Sequence, residues 1–418
     1  MTSGGNHIDF PRLPRFCPCK DAIALNLQRL PASTAGLVFS VLMLLSTRVL
    51  AVEVTDNFDL GGAIRARVDQ DSSRGVREFG IDTLMLSAKY NSDSWIGAAR
   101  YRFYGKDYPY QYTHHFGDIN FAEYAWIGYR FDPTQQVQVG LNQIPFGLQR
   151  LYSDTFLETV AFTMGLEDVD EVGAKYIKDI GDWNLQTGYY ARPAWRGHGT
   201  SNGSTYSTVV TPGDSYVDGG SRNVERNMFV ARLARNVQMG AWKNEFGASV
   251  LTSTLYNLDT HRDGQRYDAA VHYTGKNGPW NVRLQYTRQT MSLKNPMGDN
   301  QTISVGGYDG TYNMATRGNL YQANASYAIP GSYLGGWIKD AQLYTSYDLY
   351  VKSDPQFRNT QRWIVGTSFS LKFLSIYVEW REGRNDPYIG DSSYAQSLAA
   401  GGVNDWRGQL FMSIGYYF

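Results

Sequence analysis

The segment Trp406-Arg407-Gly408-Gln409-Leu410-Phe411-Met412-Ser413-Ile414-Gly415-Tyr416-Tyr417-Phe418 alternates with a period of two. Trp406, Gly408, Leu410, Met412, Ile414, Tyr416 and Phe418 fall on one face. Arg407, Gln409, Ser413, Gly415 and Tyr417 fall on the other, with Phe411 as the exception. Successive side chains of a β-strand point to opposite sides, so this stretch meets an apolar medium on one face and a polar one on the other. The pattern returns upstream. Phe58, Leu60, Gly62, Ile64, Ala66 and Val68 oppose Asn57, Asp59, Arg65, Arg67 and Asp69; Trp95, Gly97, Ala99, Tyr101 and Phe103 oppose Arg100 and Arg102, with Lys106 beyond. Trp183 to Tyr189, Tyr267 to Tyr273 and Trp280 to Tyr286 repeat it, whereas 78–90 and 120–131 have ambiguous facing.

Extended along the chain, the alternation predicts strands near 56–70, 78–90, 94–105, 118–131, 134–142, 171–179, 182–193, 224–237, 242–258, 263–275, 278–293, 314–330, 337–351, 358–372, 374–383 and 404–418. Their connections alternate in length. Asn91-Ser92-Asp93, Asp132-Pro133, Ile180-Gly181 and Gly275 to Gly278 are short, while 143–170, 194–223, 294–313 and 384–403 are long; 329–337 fits least well. An even number of strands with short turns at one end and long loops at the other is the pattern of a transmembrane antiparallel β-barrel. Trp95, Trp183, Trp242, Trp280 and Trp337 each follow a short connection, where an interfacial aromatic girdle belongs. Composition agrees: 31 Tyr, 10 Trp and 43 Gly against 14 Pro, with no long apolar stretch after residue 51. The expected fold is all-β, a barrel of about sixteen strands spanning 52–418.

Residues 1–51 read as a signal peptide and N-terminal extension, removed on export. Ala35 to Leu45 is an apolar run behind Arg12, Arg15, Lys20 and Arg29, and Val49-Leu50-Ala51 supplies a cleavage site. The run is too short to span a bilayer as a helix. Both cysteines, Cys17 and Cys19, lie in this segment, so the exported chain has no disulfide, thiol nucleophile or thiolate metal site. Removing its five basic and two acidic residues from 39 and 39 leaves 34 against 37. A slightly acidic chain gives no electrostatic reason to bind nucleic acid.

On these residues the chain resembles the bacterial outer-membrane general porins, and the ending on Phe418 is similar to the C-terminal signature by which such barrels are recognised by the outer-membrane barrel assembly machinery. Val139-Gly140-Leu141-Asn142-Gln143-Ile144-Pro145-Phe146-Gly147-Leu148, with Arg150 and Leu151, resembles the phosphate-selective porin O and P family, in which a Pro-Phe-Gly element leads into the constriction loop. The resemblance implies sixteen strands, a homotrimer and an inward-folded third loop. The segment 143–170 is the candidate for that loop, with apolar anchors Phe146, Leu148, Phe156, Phe162 and Met164, and charged Arg150, Asp154, Glu158, Glu167, Asp168 and Asp170.

If the apolar faces meet lipid, the other faces line water. Arg65, Arg67, Arg100, Arg102, Arg226, Arg232, Arg266, Arg283, Arg362 and Arg407 are then pore-lining, with Asp59, Asp69, Asp268, Glu123 and Glu379 among them. Arginine rings favour anions and carboxylate rings cations. The alternative is that many of these arginines pair with carboxylates and stiffen the wall. The expected function is passive diffusion of small hydrophilic solutes and ions with a mild anion preference. A phosphate-type selective channel, and a closed barrel acting through its outer loops in binding or adhesion, stay open beside it. Neither catalytic residues nor a cofactor are expected. His114-His115 near Asp118 has no evident third metal ligand, and His261 near Asp259 and Asp263 is explained by loop polarity. The expected surroundings are the bacterial outer membrane, its bilayer and its lipopolysaccharide.

Overall fold

The structure is a computed structural model, and it describes residues 52–418 except 106–112, 150, 195–196, 198–203, 209–216, 218–220, 309 and 391–392. The strands are β1 (Val52–Thr55), β2 (Phe58–Asp71), β3 (Val76–Asn91), β4 (Trp95–Tyr104), β5 (Ile119–Asp132), β6 (Gln135–Gln143), β7 (Asp170–Ile180), β8 (Trp183–Arg192) and β9 (Asn223–Met239). They continue as β10 (Trp242–Asn257), β11 (Asp263–Asn277), β12 (Trp280–Ser292), β13 (Thr302–Gly307), β14 (Gly310–Ala315), β15 (Arg317–Ala328), β16 (Ile338–Lys352), β17 (Thr360–Leu371), β18 (Leu374–Arg384) and β19 (Arg407–Tyr417). One four-residue helix, α1 (Val160–Thr163), lies between β6 and β7.

Sixteen of these strands, β2–β12 and β15–β19, pair antiparallel with their sequence neighbours. The ring closes where β19 meets β2, with Tyr417 opposite Ala63 and Leu410 opposite Gln70. The main chain of Phe418 completes that seam: its N–H donates to the Gly62 carbonyl at 3.0 Å, and Gly62 N–H donates to its carbonyl at 2.7 Å. The observed strands match the expected ones to within three residues. Beyond them the sequence reading missed β1, which folds back on the start of β2, and the β13–β14 hairpin.

The wall is turned inside out relative to a soluble protein. Ile64, Leu86, Ile127, Val139, Val250, Val271, Leu284 and Leu343 point outward and are exposed. Apolar residues in that number would be unfavourable against water and are at home against lipid. Trp95, Trp183, Trp280 and Trp337 stand exposed at the turn end, with Trp95 against Tyr129 and Trp280 against Tyr327. Gly181 and Gly278 make the tight turns with positive φ of 58° and 54°, a conformation that a side chain disfavours.

The buried apolar core lies within the barrel. Phe146, Leu148, Tyr152, Met164 and Leu166 of the 144–169 loop pack with Ile303, Val305, Tyr312 and Met314 of the hairpin, with Tyr206 and Leu398, and with Val230, Leu251 and Met291 of the wall. Three segments at the loop end, the hairpin and those around Tyr206 and Leu398, thus interlock with the inward-folded loop. Ser207 bridges to Gly306 of β13, and Asn313 and Ala315 of β14 donate to the carbonyls of Tyr394 and Leu398.

Candidate functional site

The 144–169 loop is built from its first turn. Pro145-Phe146-Gly147 leaves the end of β6, and Gly147 has φ +61°. A Cβ there would lie 2.3 Å from Gln285 Oε1 and 2.6 Å from the Tyr152 hydroxyl, so only glycine fits. Wall side chains hold the backbone at this point: Ser249 accepts from Gly147 N–H at 3.0 Å, Gln285 accepts from Leu148 N–H at 2.8 Å, and Arg232 donates to the Gly147 carbonyl at 2.8 Å. Farther along, Arg362 donates to the Glu158 carbonyl at 2.6 Å, Asp348 accepts from Val160 N–H at 3.2 Å, and Arg266 donates to the carbonyls of Met164 and Gly165 at 3.0 and 3.1 Å. Asp154 pairs with Arg283 at 2.9 Å, and Glu379 accepts from Phe156 N–H. The loop therefore crosses the lumen fastened to the β9–β12 and β16–β18 walls.

Within the loop, Glu167 accepts hydrogen bonds from Tyr152 N–H at 2.6 Å, Thr159 N–H at 2.9 Å and the Thr159 hydroxyl at 2.5 Å. Burial nevertheless pushes its carboxyl up to about 8. Glu158 is pushed up to about 7 by burial and then by the nearby Asp168. Asp168 (φ +51°) accepts from the Tyr308 hydroxyl at 2.5 Å, which ties the loop to the hairpin.

Between the loop and the opposite wall lies a cavity of about 170 Å³. Phe156, Leu157, Glu158 and Phe162 form one side. Arg65, Arg67, Asp82 and Arg102 form the other, with Arg381, Gln409 and Phe411 adjoining and Tyr308, Tyr388 and Tyr394 at the loop end. Each guanidinium is backed by a carboxylate: Arg65 by Asp82 at 2.8 Å, Arg67 by Asp69 at 2.6 Å, Arg102 by Glu123 at 2.6 Å and Arg381 by Glu379 at 2.7 Å. Each also lies over a ring. Arg65 sits over Phe156 (4.9 Å), Arg102 over Tyr308 (4.7 Å), and Arg67 and Arg381 both over Phe411 (5.2 and 3.6 Å). Salt bridge and cation–π contact together leave each guanidinium little freedom to move. Phe411, the exception in the sequence alternation, is thus the apolar bed of two arginines.

The pore-lining candidates divide into groups. Arg65, Arg67 and Arg102 reach the cavity. Arg100 faces the lumen beside Glu123 at 3.1 Å, Arg283 faces it beside Asp154, and Arg407 stands near the mouth, 3.8 Å from Asp405. Arg232, Arg266 and Arg362 point inward as expected but meet loop backbone, not water, with side chains at most 2 % exposed. Arg226 does not line the lumen at all. Asn227 (φ +52°) forms a bulge that reverses the alternation, so Glu225 turns inward and Arg226 lies outside over Tyr256, paired with Asp263 at 2.8 Å. Of the loop candidates, Asp154, Glu158, Glu167 and Asp168 are in the loop. Asp170 begins β7 and is buried, and Arg150 lies outside the described residues. The sequence reading missed Arg381 and Asp82. Arg381 shares the face of Glu379 two residues away; Asp82 sits at a bulge between β2 and β3 that hides its facing.

The histidines have local roles. Asp118 accepts from both His114 and His115 N–H at 2.8 Å, closing a turn. His261 Nδ1 lies 3.0 Å from the Tyr256 hydroxyl, and His272 lies between Arg232 and Glu245. Among the described residues no cluster of three metal-ligating side chains occurs.

No protein-family model matches the chain, and no curated protein does. Among solved structures it is similar to the outer membrane channel DcaP of Acinetobacter baumannii, with TM-score 0.56 and 12% identity over 88% of this chain and 100% of that one. It is similar also to OmpF of Salmonella typhi in complex with daunomycin, at 0.53 and 12% over 88% and 100%. The trimer form of OmpT, an outer membrane protein of Vibrio cholerae, gives 0.51 and 12% over 86% and 99%. At these identities the likeness is one of fold, and the fold is the sixteen-stranded porin barrel.

Proposed function

We propose that the protein is a bacterial outer-membrane channel for small hydrophilic solutes, and that the 170 Å³ cavity is its narrowest passage. The observation that carries this reading is the third loop, fastened across the lumen with a gap between it and the arginine wall. A wide barrel needs such an obstruction to set a size limit. We extend the proposal to a mild preference for anions. Four guanidiniums border the passage with their charge largely balanced by carboxylates behind them, and Glu158 in front is held partly neutral. This pairing matches the wall-stiffening alternative and argues against a dense cationic ladder for phosphate. The Pro-Phe-Gly element at the root of the loop supports kinship with the porin O and P family, and the trimer form of one structural neighbour supports a homotrimer. Residues 1–51 belong to this proposal as the export segment.

The hairpin and residues 204–208, buried at the loop end, favour one competing reading: a barrel closed to solutes and acting through its outer face. Single-channel recording of refolded 52–418 in a planar bilayer under a salt gradient separates the two. Discrete conductance steps with an anion-leaning reversal potential support the channel. A correctly folded barrel that stays silent overturns it.

A further inference from the structure

On the lipid-facing wall, residues of low bulk line up across β8–β11, between Tyr176 of β7 and Arg288 of β12. Tyr176 stands opposite Thr187, Thr187 opposite Ala231, Ala231 opposite Val250, Val250 opposite Ala269 and Ala269 opposite Arg288. The next row toward the loop end carries the larger Tyr189, Phe229 and Tyr267, so the small residues floor an apolar groove of about 830 Å³. Because β7 ends at Ile180 on the turn side and β12 ends at Ser292 on the loop side, the row climbs across the wall from one end of the barrel toward the other.

The groove ends in positive charge. Arg288 stands opposite Asn319 and Arg317 opposite Thr290, so the two guanidiniums rise from adjacent pairs on neighbouring strands. Unlike the cavity arginines, these two have no carboxylate partner among the described residues. Arg288 donates to Asn319 Oδ1 and Ser353 Oγ, both at 3.2 Å, and Arg317 to Ser292 Oγ at 3.5 Å. Just below lie Tyr286 and Tyr321, 5.2 Å apart, at the level where an aromatic girdle meets headgroups. A cation on the lipid face is unfavourable deep in hydrocarbon and is tolerated at the interface, where it can meet an anion.

From this juxtaposition we propose a binding site for a phosphorylated lipid of the loop-side leaflet, its phosphate held by Arg288 and Arg317 and an acyl chain laid in the groove below. Two guanidiniums offer phosphate the paired donors it binds well. The inference rests on the membrane placement of the barrel and not on conduction.

The test is native mass spectrometry of the refolded chain 52–418 in detergent, with diphosphorylated lipid A or its dephosphorylated form as probes. The expected result is retention of the phosphorylated lipid by the unaltered protein, at least tenfold weaker retention by R288Q/R317Q, and weaker retention by A269F, which fills the groove and leaves the charges. Equal retention by R288Q/R317Q, or equal retention of the two lipids, overturns the proposal. So does a change from trimer to monomer in R288Q/R317Q, which would make this face a contact between copies. Because the readout is mass, a silent channel leaves the inference standing, and failed lipid retention leaves the channel reading standing.

Discussion

Two sides of the lumen use arginine in opposite ways. On the β9–β17 side, Arg232, Arg266 and Arg362 point inward and are consumed by the loop: each pairs with a carboxylate and donates to a loop carbonyl. On the β2–β4 and β18 side, Arg65, Arg67, Arg102 and Arg381 also point inward and pair with carboxylates, but their second contact is an aromatic ring and their remaining surface borders the cavity. Residue type, facing and ion pairing are shared. What differs is whether loop backbone or open space lies in front. Facing in a strand therefore says which medium a residue would meet in an empty barrel, and the loops decide which it does meet.

The sharpest way to break this comparison is Arg266→Gln. It leaves Glu225 and Asp268 facing each other in a buried site, and removing one partner of a buried pair costs about 3–5 kcal/mol. The heat- or urea-induced transition of the folded barrel in detergent should fall markedly, and proteolysis should reach the third loop. An unchanged transition would show that Arg266 does not clamp the loop. A second effect comes from pH. The folded carboxyl of Glu167 titrates near 8, above its unfolded value, so its contribution is fully present below the ordinary glutamate range and is lost as pH rises through about 8. Between pH 5 and 9 the loop should loosen by on the order of 3 kcal/mol, read as a falling thermal midpoint. E167Q should flatten that slope.

On the other side the expected effects are on current. R65Q/R67Q should move the reversal potential several-fold toward cations while the thermal midpoint moves less than in Arg266→Gln. Within the unaltered protein, protonation of Glu158 below about pH 7 removes a negative charge from the passage, so anion preference should rise on acidification. E158Q should abolish that dependence. The smallest effect belongs to Arg226→Gln. An outward side chain paired with an exposed Asp263 should leave the reversal potential unchanged and stability within about 0.5 kcal/mol.

Much of the barrel was legible because its two faces meet different media, so alternation survives from Phe58 to Phe418. The limits are equally physical. A bulge adds one residue and reverses facing, which no alternation at Asn227 announces and which misplaced Arg226. The inward course of the 144–169 loop was readable only through its Pro-Phe-Gly root and apolar anchors. The β13–β14 hairpin carried no comparable mark: Ile303, Val305 and Tyr312 read as part of a long outer connection, and Met314 as the start of the next strand, until the barrel mouth surrounds them. Arg381 could have been found from Glu379 two residues before it. That its ring partner would be Phe411, from the next strand, could not.

The seam between β19 and β2 has one more consequence. Because Ala63 and Tyr417 are direct partners, the two ends of the ring lie side by side at the turn end, and every other strand meets its neighbours just as these two do. The wall has no intrinsic first strand. Joining residue 418 to the start of β2 through a short linker and cutting the chain at Gly181 or Gly278, where the backbone is open to its surroundings, would relabel the order of synthesis and give up only the short β1–β2 pairing, leaving every rung of the sixteen-stranded ring in place. Such a circular permutant should reach the same barrel. A comparison of its folding rate with that of the parent would show whether the order in which strands emerge guides assembly or merely accompanies it.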